Sequence, residues 1–209
     1  TQLDGGDIMG DVFIGRMSVR NTSTLNTVCN KIINYEKATY IGTTGDDWYE
    51  SAALIGDPSS SGISCVITNE YIAETINAYG FEDINEKYSG GSWSSWMQNQ
   101  LSDGVSYFNY RGYWGTSGFG SGNIDGASNG WKLPFATVIT CGTGSFASEN
   151  ACLSEYFFRA GSVSTPKGAI AAIGTATLGT HTLYNNAVDM GVYWGLFQRG
   201  GETAGEGLH

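Results

Sequence analysis

The run Leu133-Pro134-Phe135-Ala136-Thr137-Val138-Ile139-Thr140-Cys141-Gly142-Thr143-Gly144-Ser145-Phe146 constrains this chain more than any other. Its apolar residues form the short continuous stretch of a strand covered on both faces. A strand buried on both sides needs a layer above and a layer below, and the rest of the sequence supplies them. Strand patterns fall at 12–19, 51–55, 81–87, 105–110, 133–140 and 168–175. Helical patterns fall at 21–37, 69–79, 93–101, 149–159 and from about 186 to 197. The first helix carries an apolar stripe of Leu25, Val28, Cys29, Ile32 and Ile33 and is expected to be capped by Thr22 or Ser23. The second presents Ile72, Ile76 and Tyr79 behind a Thr68 or Asn69 cap. Residues 42–47 read as a linker-like turn and 115–130 as a Gly/Ser loop. Strands alternating with helices predict an α/β fold with a mainly parallel sheet and right-handed crossovers.

Cys141 therefore sits at the carboxyl end of a central strand, beside a glycine-rich turn and ahead of a helix. Open α/β sheets place their binding crevices there. Gly142 and Gly144 are expected to turn the backbone tightly and to leave N–H groups pointing outward. Two readings of Cys141 follow: a nucleophile, or a small buried hydrophobe of the kind free cysteines commonly are.

Charge and composition exclude several classes of function. With 20 acidic against 10 basic residues the net charge is −10, which argues against nucleic acid or anionic membrane as partner. No apolar run is long enough to span a bilayer. At 209 residues the chain can bury roughly 70% of its unfolded surface in one core. Sparse charge and abundant Ser, Thr, Asn and Gly fit an extracellular or cell-surface protein. The acidic surface admits a structural Ca²⁺ ion, although no EF-hand spacing is present. The cysteines at 29, 65, 141 and 152 match no zinc spacing. If Cys141 is a nucleophile, at most one pair among the other three can bridge.

Ile139-Thr140-Cys141-Gly142-Thr143-Gly144-Ser145-Phe146, followed by Cys152-Leu153-Ser154-Glu155 and Arg159-Ala160, resembles the nucleophile segment of the gingipain-type cysteine peptidases. So does Asp11-Val12-Phe13-Ile14-Gly15-Arg16, with the helix ending Asn34-Tyr35-Glu36-Lys37. Between them, Phe108-Asn109-Tyr110-Arg111-Gly112-Tyr113-Trp114-Gly115 is similar to the family's Asn-Tyr-x-Gly-His-Gly segment. The resemblance implies a caspase-like three-layer sandwich whose chemistry needs no cofactor and whose substrate is a peptide or protein. It also implies a secreted multidomain precursor, with other domains of that precursor as partners. Residues 1–40 would then be the last strand and helix of a preceding subdomain, and 41–209 the catalytic-type domain.

The chain departs from the family where the chemistry is most demanding. Tyr113 stands at the family's catalytic histidine, and a phenol is neutral at pH 7, so it cannot form the ion pair by which an imidazolium activates a thiol. The oxyanion donors implied by the resemblance are the backbone N–H groups of Cys141 and Trp114. Trp114 replaces a glycine and would be strained if that position required positive φ. Of the two histidines, His209 is terminal. His181 falls, counting from Cys141, where arginine-specific members place a tryptophan in the S1 pocket. It reads either as a relocated base or as a polar pocket wall. Asp57 matches an acid that orients the family's histidine, or is an Asp-Pro turn residue. The family's basic specificity rests on a pocket-floor acid, and Cys65-Val66 supplies none, leaving Val66 as an apolar pocket residue. Three functions follow from these residues: a cysteine endopeptidase with an altered dyad, an inactive homologue serving as a surface binding or assembly module, or a self-assembling surface layer or fibre.

Overall fold

The computed structural model describes residues 12–147 and 150–208. Five parallel strands form one sheet in the order β2-β1-β3-β4-β5. They are β1 (Ser51–Gly56), β2 (Asp83–Lys87), β3 (Tyr107–Arg111), β4 (Phe135–Val138) and β5 (Ala171–Gly174). The helices are α1 (Thr22–Glu36), α2 (Ile41–Thr44), α3 (Pro58–Ser61), α4 (Ser64–Tyr79), α5 (Trp93–Asp103), α6 (Ser121–Gly126), α7 (Leu153–Arg159), α8 (Thr182–Phe197) and α9 (Ala204–Leu208).

The two faces of the sheet are separated by the period-two alternation of its strands. On one face Ala53, Ile55, Phe108, Tyr110, Ala136 and Val138 pack with Met97 and Leu101 of α5, Ile124 of α6 and Phe157 of α7. On the other, Ala52 and Leu54 pack with Ile72 and Ile76 of α4 and Val192 and Tyr193 of α8. Each of the leucine, isoleucine, valine, methionine and phenylalanine side chains among them contributes about 1.5–3 kcal/mol by leaving water. The result is the three-layer sandwich expected, with β3 and β4 central and parallel to β5.

Several local expectations are corrected. No strand forms over 12–19. There the Ser18 carbonyl accepts from Arg159 Nε at 2.5 Å, and its hydroxyl pairs with Glu155. Side-chain ties therefore take the place of a ladder, and Ile14 is 81% exposed. α1 is capped by Asn21, whose Oδ1 accepts from Thr24 N at 2.8 Å. Of its predicted stripe Val28 is fully buried, whereas Leu25 and Ile33 are exposed. α4 starts at Ser64 without a side-chain cap, because Cys65 and Val66 already pack inward. The expected turn at 42–47 overlaps α2 and a 3-10 turn at Asp47–Glu50, and the 115–130 loop contains α6, anchored by buried Ile124. The seventh helix starts at Leu153 rather than 149, with Ser148 and Glu149 outside the described residues, as are Asp11 and His209. α8 begins at Thr182, four residues early. All four cysteines are unbridged.

α1 is fastened to the body by Lys31, whose side chain is 1% exposed. Its Nζ donates to the carbonyls of Phe158 at 2.8 Å, Lys167 at 3.0 Å and Ala160 at 3.4 Å. Burial lowers its pKa to about 7, so the ammonium is charged at pH 6. Replacing Lys31 with Met keeps the stem but strands these carbonyls. Lys31→Met is expected to cost about 2–3 kcal/mol and to lower Tm at pH 6 by roughly 5–10 °C. Thermal unfolding followed by circular dichroism measures this, and an unchanged Tm would contradict it.

Candidate active site

Because all five strands are parallel, every loop leaving a carboxyl end emerges at one edge of the sheet. Asp57 follows β1, Gly112–Gly115 follows β3, Thr140–Phe146 follows β4, and 175–181 follows β5 into α8. Asp57 and the Tyr113 loop flank the point between β1 and β3 where the strand order reverses. Cys141 lies one strand further on. Tyr113 and Cys141 thus share the predicted edge.

Cys141 is half-buried at the head of its turn. The glycines behind it do not leave outward N–H groups, as the sequence suggests. Gly142 N donates to Thr177 O and Gly144 N to Thr175 O, both at 2.9 Å. Gly142 sits at φ +74, and a Cβ on Gly144 would lie 2.4 Å from the Gly174 carbonyl oxygen. These two positions let the turn press against the chain leaving β5. The Cys141 N–H, by contrast, donates to no backbone carbonyl among the described residues, and neither does that of Trp114. Trp114 is absent from the residues at positive φ, so its side chain carries no backbone strain.

A second set of contacts joins the loops. Thr140 Oγ1 donates to Gly115 O at 3.0 Å, linking the cysteine turn to the tyrosine loop. Arg111, the last residue of β3, is fully buried. Its guanidinium donates to Gly112 O at 3.2 Å, to Ile139 O, and to Asn186 Oδ1 of α8 at 2.9 Å through Nε. Burial works against that charge and lowers its pKa. Beneath it, Asn109 Nδ2 donates to Asp189 Oδ2 at 2.9 Å and to Asn69 Oδ1 at 3.0 Å. The second oxygen of Asp189 and Asn109 Oδ1 are buried without partners among the described residues. Complete burial pushes the Asp189 carboxyl up to about 7, although Asn109 and Arg111 oppose the rise.

The remaining expected residues are scattered around this frame. Tyr113 and Trp114 are 58% and 65% exposed. Asp57 is not bonded to Tyr113. Its Oδ1 accepts from Ser59 N and Oγ, at 3.0 and 2.6 Å, and its Oδ2 accepts from Ser117. Burial alone would raise this carboxyl, but the Ser117 and Ser59 hydrogen bonds outweigh it and hold the pKa below its ordinary value. Tyr110 Oη completes the chain at 2.6 Å from Ser117 Oγ. His181 is exposed and caps α8, its Nδ1 accepting from Leu183 N at 3.1 Å. Its neighbour Thr180, which the sequence does not single out, is the residue that reaches the sulfur, with Oγ1 3.4 Å from Cys141 Sγ. Val66 is buried in α4 behind Gly56. A groove along β5 is lined by residues of 13–18, Phe146 and Ala171–Gly174, and Cys141 is not among its lining residues. Among the described residues no group of His, Cys, Asp and Glu forms a metal cluster, and no helix is long and apolar enough to cross a membrane.

The family model of peptidase family C25 matches residues 1–209. The chain belongs to that family. It is 32% identical over 184 residues to gingipain R2 of Porphyromonas gingivalis, covering 83% of this chain and 25% of that protein. The same identity and span relate it to gingipain R1 of Porphyromonas gingivalis, of which it covers 18%. The chain thus spans a quarter or less of these relatives. The crystal structure of the Arg-specific cysteine proteinase gingipain R superposes with a TM-score of 0.81 at 24% identity, over 98% of this chain and 54% of that one. The mature and pro-domain complex of RgpB from Porphyromonas gingivalis gives 0.77 at 27% identity, over 93% and 46%. The gingipain fold implied by the sequence is the fold of this C25 chain.

The buried carboxyl gives this site a testable pH signature. A folded pKa raised from the ordinary value near 3.9 to about 7 means that the folded chain binds the extra proton. The stabilisation is fully present below about pH 3.9 and is lost as pH rises toward 7. Asp189→Asn removes this titration. Chemical denaturation from pH 4 to 8 is expected to show stability falling less with pH in the variant than in the wild type. Parallel curves would contradict the assignment.

Proposed function

We propose that this chain is a cysteine endopeptidase domain with an altered dyad, in which Cys141 attacks peptide carbonyls. The observation carrying the proposal is a half-buried thiol at the carboxyl end of β4, beside a loop whose Trp114 N–H, like that of Cys141, has no backbone partner among the described residues. In this reading the thiolate adds to the carbonyl carbon, and the oxyanion accepts hydrogen bonds from those two N–H groups. Collapse breaks the C–N bond, the amine takes up a proton, and water hydrolyses the thioester. Tyr113 is the acid at the family's histidine position, and a neutral phenol is a weak substitute. Asp57 has its acceptors occupied by Ser59 and Ser117 and does not orient Tyr113. Cys65-Val66 supplies no acid, so Arg or Lys specificity is not supported. An extracellular or cell-surface setting, with other domains of a longer precursor alongside, fits the composition and the span of the relatives.

A second reading, a binding module that no longer hydrolyses, is favoured by one feature of the same edge. Tyr113, Trp114, Leu178, Leu183 and Tyr184 are all large and exposed there, and surfaces of this kind mark interaction sites.

Reciprocal substitutions separate the two. Tyr113→His returns an imidazole opposite the thiol, and hydrolysis of a peptide library is expected to rise about 10²–10⁴-fold, the usual worth of a positioned acid–base. Cys141→Ala is expected to abolish it, and His181→Ala to leave it unchanged because that ring caps α8. Inertness of both wild type and Tyr113→His, with Cys141 still open to alkylation, would refute the peptidase reading and leave the module.

A further inference from the structure

We propose that Thr180 is a catalytic residue whose hydroxyl donates a hydrogen bond to the Cys141 thiolate, oriented by the side chain of Asn185. This rests on the peptidase reading above and assigns a partner to its nucleophile. Thr180 Oγ1 lies 3.4 Å from Cys141 Sγ and 2.9 Å from Asn185 Nδ2. An amide –NH₂ can only donate, so the Thr180 oxygen accepts from Asn185. The hydroxyl keeps one hydrogen to give, and toward a thiolate, which carries none, it can only donate. The relay therefore runs from Asn185 through Thr180 to Cys141 in one direction.

The relay is rigidly mounted. Asn185 is buried in the first turn of α8, and the next residue, Asn186, accepts from Arg111. One helical turn thus holds both the hydroxyl that touches the sulfur and the arginine that fixes the carbonyls of Ile139 and Gly112. The charged and titratable groups around the sulfur are Arg111 from β3, whose charge interacts with Cys141, Asp189 of α8 behind that arginine, and His181 at the α8 cap. Tyr113 stands on the loop after β3. A neutral hydroxyl donor favours the thiolate over the thiol, as an imidazolium does, but has no spare proton for a leaving amine.

This arrangement has a kinetic signature. A donor to the thiolate raises its population while lowering its intrinsic nucleophilicity, because nucleophilicity follows basicity with a slope of about 0.4–0.5. The test is iodoacetamide alkylation of the full chain between pH 6 and 10, with the Cys141 peptide followed by mass spectrometry so that Cys29 and Cys152 do not contribute. Removing the donor makes Thr180→Val slower than wild type at pH 7, where the thiolate is the scarce form, and faster at pH 10, where its unrestrained basicity decides the rate, so the two profiles cross. Thr180→Ser retains the wild-type profile, and Asn185→Ala shifts it in the same direction as valine. A loosened site would instead accelerate alkylation at every pH. Crossing profiles support the inference even if no peptide is hydrolysed, in which case only the peptidase reading fails. Profiles for Thr180→Val and Asn185→Ala that superpose on wild type, or differ by one constant factor, overturn the inference even if hydrolysis is present.

Discussion

A buried guanidinium with no carboxylate bonded to it among the described residues is the constraint on which the rest of this site depends. Arginine stays charged in proteins, and an uncompensated buried charge is costly unless its hydrogens are taken up. Arg111 meets that requirement with the Gly112 and Ile139 carbonyls and with Asn186. Those acceptors belong to the loop carrying Tyr113, the segment entering Cys141 and the helix whose cap is His181. Satisfying one charge therefore fixes two loop segments and a helix relative to one another. The same residue closes β3, which lies between β1 and β4 in the middle of the sheet, so the demand made by the site is transmitted to the strand that organises both hydrophobic faces.

The parallel sheet explains how much of this was legible in the sequence. Continuous apolar runs identified β1, β3, β4 and β5, and because parallel strands point one way, position in the chain alone placed Asp57, Tyr113 and Cys141 at one edge. Helix starts were less legible. α4 opens at Ser64 without a capping side chain, so its first turn gives no start signal, and α6, six residues with one buried isoleucine and Asn123 bonded to the Gly120 N–H, is too short to show a period. The segment before α1 looks like a strand because Val12, Phe13 and Ile14 are β-formers, yet 12–19 takes no strand conformation and Ser18 is held by Glu155 and Arg159.

The polar chemistry was least legible, for a physical reason. Arg111 pairs with a residue 75 positions away and Asn109 with one 80 positions away. On a strand, an arginine or an asparagine reads as a solvent-facing end; only the packing of α8 against the sheet makes them interior. Thr180 escaped attention because a lone threonine in a Gly/Thr loop carries no pattern, whereas its neighbour His181 drew attention through its chemistry and proved to be a helix cap. The glycines after Cys141 signalled a tight turn correctly, but their N–H groups bind the chain leaving β5 rather than facing outward.

Within a family fold, this chain sets Cys141 at the carboxyl end of β4 with the Thr180 hydroxyl against its sulfur and the buried guanidinium of Arg111 behind it. The central claim is that Cys141 remains a nucleophile toward peptide carbonyls. Covalent capture tests it most directly: treat the chain with a peptidyl acyloxymethyl ketone bearing an apolar P1 side chain and map the adduct by mass spectrometry. The account predicts one adduct, on Cys141, suppressed by excess peptide. Labelling spread equally over Cys29, Cys141 and Cys152, or no peptide-dependent labelling at all, would contradict it.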